Sequence, residues 1–262
     1  LRQNYLVADF LADARDQDIE KSVHVQANFD PANPVGETEW LDQVASQPQS
    51  RGFPHAIVAY ANLADPGVER VLEGHARFAR VRGIRQVLNR HPNPKLNRAD
   101  RDYLADENWQ RNVGLLRGFG MSFDVQVYYQ QMPAVAVLAR RYPDIQFILD
   151  HAGMPAERDA PAMVGWRRGM RLLADTPNVA VKLCGYGMLD TRWTTDSIAP
   201  FVLEPISAFG AKRCMFASNF PVDKLMANYD RLWNAYSAIT ARFSAADRHS
   251  LFYETAERIY RI

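Results

Sequence analysis

Cysteine is scarce in this sequence, with only Cys184 and Cys214 in 262 residues, both inside apolar runs. Two such cysteines give no reason to expect a disulfide framework, and they point to a reducing compartment, the cytoplasm. Charge of one sign is also missing. A formal net charge of +1 generates no field that would gather nucleic acid or an anionic membrane, so the expected partner is a small molecule. No apolar run approaches the roughly 20 residues of a membrane helix, and the first residues lack a basic-then-apolar leader. The first strand-to-helix turn has no Gly-rich phosphate loop, which disfavours a nucleotide fold. Neither a His-x-His pair nor a cysteine pair with metal-ligand spacing occurs. The oligomeric state is left open.

What is present is a regular alternation, with ordinary globular proportions of 47% hydrophobic and 23% charged residues, sufficient for one domain over residues 1–262. Apolar periodicity predicts helices over 4–15, 37–44, 68–79, 108–118, 132–141, 166–174, 198–209, 225–239 and 245–260. Between them, short β-branched or apolar runs predict strands at 19–27, 55–60, 83–88, 122–127, 145–149, 179–183 and 215–217. A long polar loop containing His91, Pro92 and Pro94 has the length of a lid or binding loop.

Strands alternating with helices, without hairpin signals, imply a parallel sheet covered by helices. Seven strands are visible, and eight would close a (β/α)₈ TIM barrel, for which about 250 residues is typical. Because a helix comes first, the missing strand is expected upstream of Leu1. A doubly wound open sheet is the alternative.

In a barrel, chemistry sits at the C-terminal ends of the strands. His151 follows an apolar strand in a turn with Gly153 and Pro155, where imidazole can bind a divalent metal, exchange protons or simply cap the loop. Asp150 is its neighbour, and strand alternation predicts that at most one of the two faces inward. By the same alternation His24 and Gln26 are expected inward, with Val23 and Val25 against helices. Arg85 and Lys182 stand inside apolar strands. Each requires an internal carboxylate or a substrate anion, because an unpaired buried charge is costly. Gln126 and Tyr128 end another strand, where either is expected to help position water and substrate. Asn219 can position water without taking its proton, whereas Asp223 can act as base or cap a helix starting near Lys224.

Several short stretches, in order, carry a family resemblance: Val23–Ala27, Glu37–Leu41, Gly83–Gln86, Leu149–Gly153, Val181–Gly185, Phe216–Pro221 and Ala256–Arg261. Together they resemble the amidohydrolase-related TIM-barrel hydrolases that include 2-pyrone-4,6-dicarboxylate lactonase and the sugar-acid lactonases. The resemblance implies a hydrolase acting on a small lactone or cyclic ester, often carboxylate-bearing, by water attack at the carbonyl. It places His151 at the family's later histidine and Arg85 where a substrate carboxylate is held. Asn219 stands where the family carries an aspartate that is base or metal ligand, and the family's His-x-His strand has no counterpart here. The resemblance implies one divalent metal, zinc or manganese, with His151 as ligand, or a metal-independent reaction. A metal-dependent decarboxylase and a barrel that binds a small anion without catalysis are the alternatives.

Overall fold

Burial on both faces is what the apolar strand runs require, and the computed structural model, which describes residues 4–262, provides it in a curled parallel sheet. Its strands are β1 (Val23–Val25), β2 (Ala56–Tyr60), β3 (Val81–Val87), β4 (Ser122–Gln126), β5 (Phe147–Leu149), β6 (Val179–Leu183) and β7 (Cys214–Phe216). Each pairs in parallel with the next, in the spatial order β1 to β7. This is a (β/α)₈ barrel short of one strand, as the alternation predicts. No helix among the described residues is long and apolar enough to cross a membrane.

The crossovers carry helices α2 (Pro34–Ala45), α3 (Val68–Ala76), α4 (Glu107–Val113), α5 (Met132–Arg141), α6 (Ala160–Ala174) and α7 (Thr195–Phe209). α1 (Val7–Asp13) precedes the sheet, and α8 (Tyr229–Ile239), α9 (Ala245–His249) and α10 (Thr255–Tyr260) follow it. Periodicity misplaces several starts because caps, not apolar residues, set them. α6 begins six residues before Trp166, where Asp159 accepts from the Ala162 amide and Pro161 sits in the first turn. α8 starts at Tyr229 under the Asn228 cap. The closing segment 245–260 is interrupted by a π-helical turn, Ser250–Glu254.

Two cores lie on opposite faces of the sheet. The outer one joins alternate strand residues such as Ile57, Phe123, Leu149 and Val181 to the helices. The inner one contains Ala56, Val58, Ile148, Ala180 and Met215, with Val23 and Val25 packed against it. Ile259 and Tyr260 from α10 also enter this inner core, so the end of the chain fills the barrel interior. At the open edge, the Phe10 ring of α1 lies 5.8 Å from both Phe53 and Tyr229. α1 therefore spans from the approach to β2 across to α8.

Candidate active site

Pairing register decides which side chains enter the barrel. Tyr60 is level with Arg85, Arg85 with Asp124, and Asp124 with Ile148. Since Ile148 belongs to the inner core, Arg85 and Asp124 point inward too, and alternation adds Gln126 and Lys182.

Four charges meet there. Lys182 Nζ lies 2.7 Å from both Asp124 Oδ2 and Asp150 Oδ1, and Arg85 Nη1 lies 3.7 Å from Asp150 Oδ2. Tyr260 donates its hydroxyl to Asp124 Oδ2 at 2.8 Å. Burial disfavours charge on Asp124, Asp150 and Lys182, but Lys182 and Arg85 hold Asp150 below the usual carboxylate range. Burial and the neighbouring Asp150 leave Asp124 raised despite Lys182. The two carboxylates overcome burial at Lys182 and push its ammonium well above its ordinary value. Lys182 is thus held by two acids and is not free for substrate. Asp124 and Tyr260 were not among the residues expected from sequence. For Asp124 the signal was there, an acid two residues before Gln126 in an apolar strand.

Three further expectations need correction. His24 does not enter the barrel: its Nε2 pairs with Glu37 Oε1 of α2 at 3.1 Å, and it is Val23 and Val25 that face inward. β1 is only three residues long, so the inward face was assigned one residue out of phase. Tyr128 turns its hydroxyl to the Leu96 carbonyl at 2.8 Å and packs edge-on against His91, so it anchors the long loop after β3. That loop is also held by His91 Nε2, 3.1 Å from Glu157 Oε2. Asp223 caps no long helix. It begins a short 3₁₀ turn, Asp223–Leu225, and is 2% exposed.

Asp150 and His151 both reach the same region, against the expectation of one. The strand ends at Leu149, and His151, Ala152 and Met154 adopt left-handed backbone angles (φ 54°, 49° and 45°) that abolish the alternation. Asp150 faces Lys182, while His151 Nδ1 lies 3.2 Å from Cys184 Sγ at the end of β6. Burial, with Lys182 and Arg85 adding to it and Asp150 opposing, pushes the imidazole down to about 4. It is neutral at pH 7.

After β7, Asn219 is left-handed (φ 55°), a conformation asparagine tolerates, and its Nδ2 donates to Asp223 Oδ1 at 3.0 Å. Oδ2 is buried without a partner among the described residues. Burial pushes Asp223 up to about 6, with Asn219 and the Gly185 amide opposing.

Below the mouth, Arg85 Nη2 donates to the Gln26 carbonyl at 2.7 Å, and Nη1 lies 3.4 Å from Gln126 Oε1. Gln126 Nε2 in turn donates to Asn89 Oδ1 at 2.8 Å. Three buried donors around this run of hydrogen bonds, Gln26 Nε2, Arg85 Nε and Asn89 Nδ2, have no acceptor among the described residues. Metal ligation fits less well. Among the described residues no three His, Cys, Asp or Glu side chains converge to hold a metal ion, and the one expected ligand, His151, has a thiol beside it. These residues do not by themselves form a three-ligand site.

Parallel strands ending in a histidine, a raised aspartate and a buried ion network define an enzyme-type β/α barrel. The chain belongs to the amidohydrolase family, whose model matches residues 1–262. It is 46% identical to an uncharacterised protein of Sinorhizobium fredii over 100% of this chain and 87% of that one. It is 33% identical to an L-fucono-1,5-lactonase of Burkholderia multivorans, over 78% of this chain and 71% of the relative. Among solved structures it resembles an amidohydrolase from Burkholderia multivorans with bound zinc (TM-score 0.84, 29% identity, 99% of this chain and 89% of that one). A putative 2-pyrone-4,6-dicarboxylic acid hydrolase from Pseudomonas putida shares the fold (TM-score 0.72, 19% identity, 97% and 86% covered).

Proposed function

We propose that this protein hydrolyses a small carboxylate-bearing lactone, with Asp223 as the general base. The observation that carries this reading is the state of Asp223: one carboxylate oxygen is fixed by Asn219, the other is buried and unpartnered, and its pKa is raised to about 6. A base poised just below neutral pH is ionised in the cell yet basic enough to accept a proton from attacking water. The lactonase relative at 33% identity supports the substrate class.

In this reaction Asp223 Oδ2 takes a proton from water as the water oxygen bonds to the lactone carbonyl carbon. The carbonyl becomes an oxyanion beside the neutral His151 imidazole. The ring C–O bond then breaks, and Asp223 returns its proton to the departing alkoxide, giving a hydroxy acid. Asn219 holds the carboxylate by hydrogen bonding and takes no proton itself. Arg85 and Asn89 offer the unpartnered donors that a substrate carboxylate would satisfy. Lys182 keeps Asp150 ionised and in place.

Purified protein is to be assayed against sugar lactones and pyrone carboxylates, with and without added zinc or manganese. Ring opening, followed as acid release, is expected for a carboxylate-bearing member. Thermal stabilisation by the same compounds without turnover would instead indicate a binding protein.

A further inference from the structure

The two edges of the His151 ring have different surroundings. Nδ1 lies 3.2 Å from Cys184 Sγ, and both side chains are buried. Gly185 follows with φ +75°, and a Cβ there would stand 2.5 Å from Nδ1. Only a residue without a side chain lets the backbone after β6 close over that edge. Nδ1 is therefore sealed against protein, and no substrate can reach it. Nε2 stands on the opposite edge, away from the thiol.

We infer that Cys184 sets the tautomer of His151: its S–H donates to Nδ1, and the ring proton is confined to Nε2. Cys184 is then a positioning residue, acting on the reaction only through the imidazole. The inference rests on the lactone-hydrolysis reading for its consequence, since Nε2–H makes His151 a hydrogen-bond donor to the carbonyl oxygen and leaves Asp223 as the only base. The opposite tautomer would present a lone pair at Nε2 and make His151 a second base.

The chemistry of the pair favours the first arrangement. At neutral pH a cysteine thiol carries its proton and can donate it. The His151 main-chain amide also borders the sulfur, but as a donor to it, and Nδ1 is the side-chain acceptor at hydrogen-bond distance of the thiol. The competing acceptor is the Cys184 main chain, which also borders the ring and would draw a proton onto the nitrogen it faces. A thiol is a weak donor, but here it faces a ring nitrogen that protein has sealed from water. If Nδ1 gave its own proton to the carbonyl, the S–H would be left buried and unpaired.

Long-range ¹H–¹⁵N correlation of the histidines at neutral pH reads the tautomer directly, with His151 assigned by its loss in His151→Gln. The expected result is a protonated Nε2 and an unprotonated, hydrogen-bonded Nδ1 in the wild type. Cys184→Ser, whose hydroxyl also donates, should retain it, and Cys184→Ala should show a mixture. A protonated Nδ1 in the wild type, or an unshifted Nε2–H tautomer in Cys184→Ala, would overturn the inference. In turnover, Cys184→Ala should lower kcat by about tenfold with KM within about twofold, and Cys184→Ser should recover most of it. Equal losses in two folded variants would count against the assignment. The spectra decide the tautomer even if no lactone is hydrolysed, a result that would defeat the proposed function alone.

Discussion

Asn219 donates its amide to Asp223 across 3.0 Å, so a residue within the loop after β7 and the acid four positions later act as one unit. The amide removes a base from one position and steadies another. Asn219→Ala should leave Asp223 without its one side-chain donor and raise its pKa above about 6. The acidic limb of kcat/KM against pH should move upward accordingly. Asn219→Asp places a second carboxylate beside the first and should move the limb further, because like charges resist joint ionisation. A limb that stays in place in both variants would separate Asn219 from the base.

Asp223 and His151 pull the pH dependence of stability in opposite directions. Asp223, raised to about 6, binds more protons folded than unfolded between roughly pH 4 and 6, so its contribution falls as pH rises through that window. His151, lowered to about 4, binds fewer protons folded between roughly pH 4 and 6.5, so its contribution rises with pH. Each amounts to about 3 kcal/mol, and the two nearly cancel. Relative to wild type, urea unfolding of His151→Gln should show stability declining from pH 4 to 6, and Asp223→Asn should show it increasing. Parallel curves for all three proteins would contradict both buried groups.

Lys182 stands between two buried carboxylates, 2.7 Å from each. Lys182→Met should therefore cost about 3–5 kcal/mol, the range for breaking a buried pair by removing one partner. The Lys182→Met, Asp124→Asn double variant should recover part of that loss. A Lys182→Met variant as stable as wild type would mean that the network is not formed.

Tyr260 links the end of the chain to the barrel interior through Asp124 at 2.8 Å. Tyr260→Phe keeps the ring's packing and removes only that donor, so a loss of about 1–2 kcal/mol is expected in chemical denaturation. Asp124 retains Lys182 as a partner, which should keep the loss below that of Lys182→Met.

Arg85 and its neighbours present donors without acceptors. Arg85→Met should raise KM for a carboxylate-bearing lactone by at least about tenfold, as expected for loss of a charge-assisted hydrogen bond. Hydrolysis of a neutral lactone should change little. Equal effects on both would assign Arg85 to Asp150 alone.

The strands and their order were legible in the sequence because each is an apolar run flanked by turn residues, from the 55–60 segment to Cys214–Phe216. The orientation of side chains was legible only where a strand is long enough to fix its phase. β1, with three residues, gave His24 and Val25 the wrong faces. The left-handed turn at His151 and Ala152 brings both Asp150 and His151 to one region, and no period-two rule anticipates it. Tyr260 stayed hidden because its partner Asp124 lies 136 positions earlier, a pairing that only the closed packing of the inner core creates.

The role of Asp223 as the base is tested most directly by the pH dependence of kcat/KM for an opened lactone. Below about pH 6 the rate should fall tenfold per unit, and Asp223→Asn should lose about 10²–10⁴-fold at neutral pH. A profile with no limb near 6, or an Asp223→Asn variant as active as wild type, would contradict it.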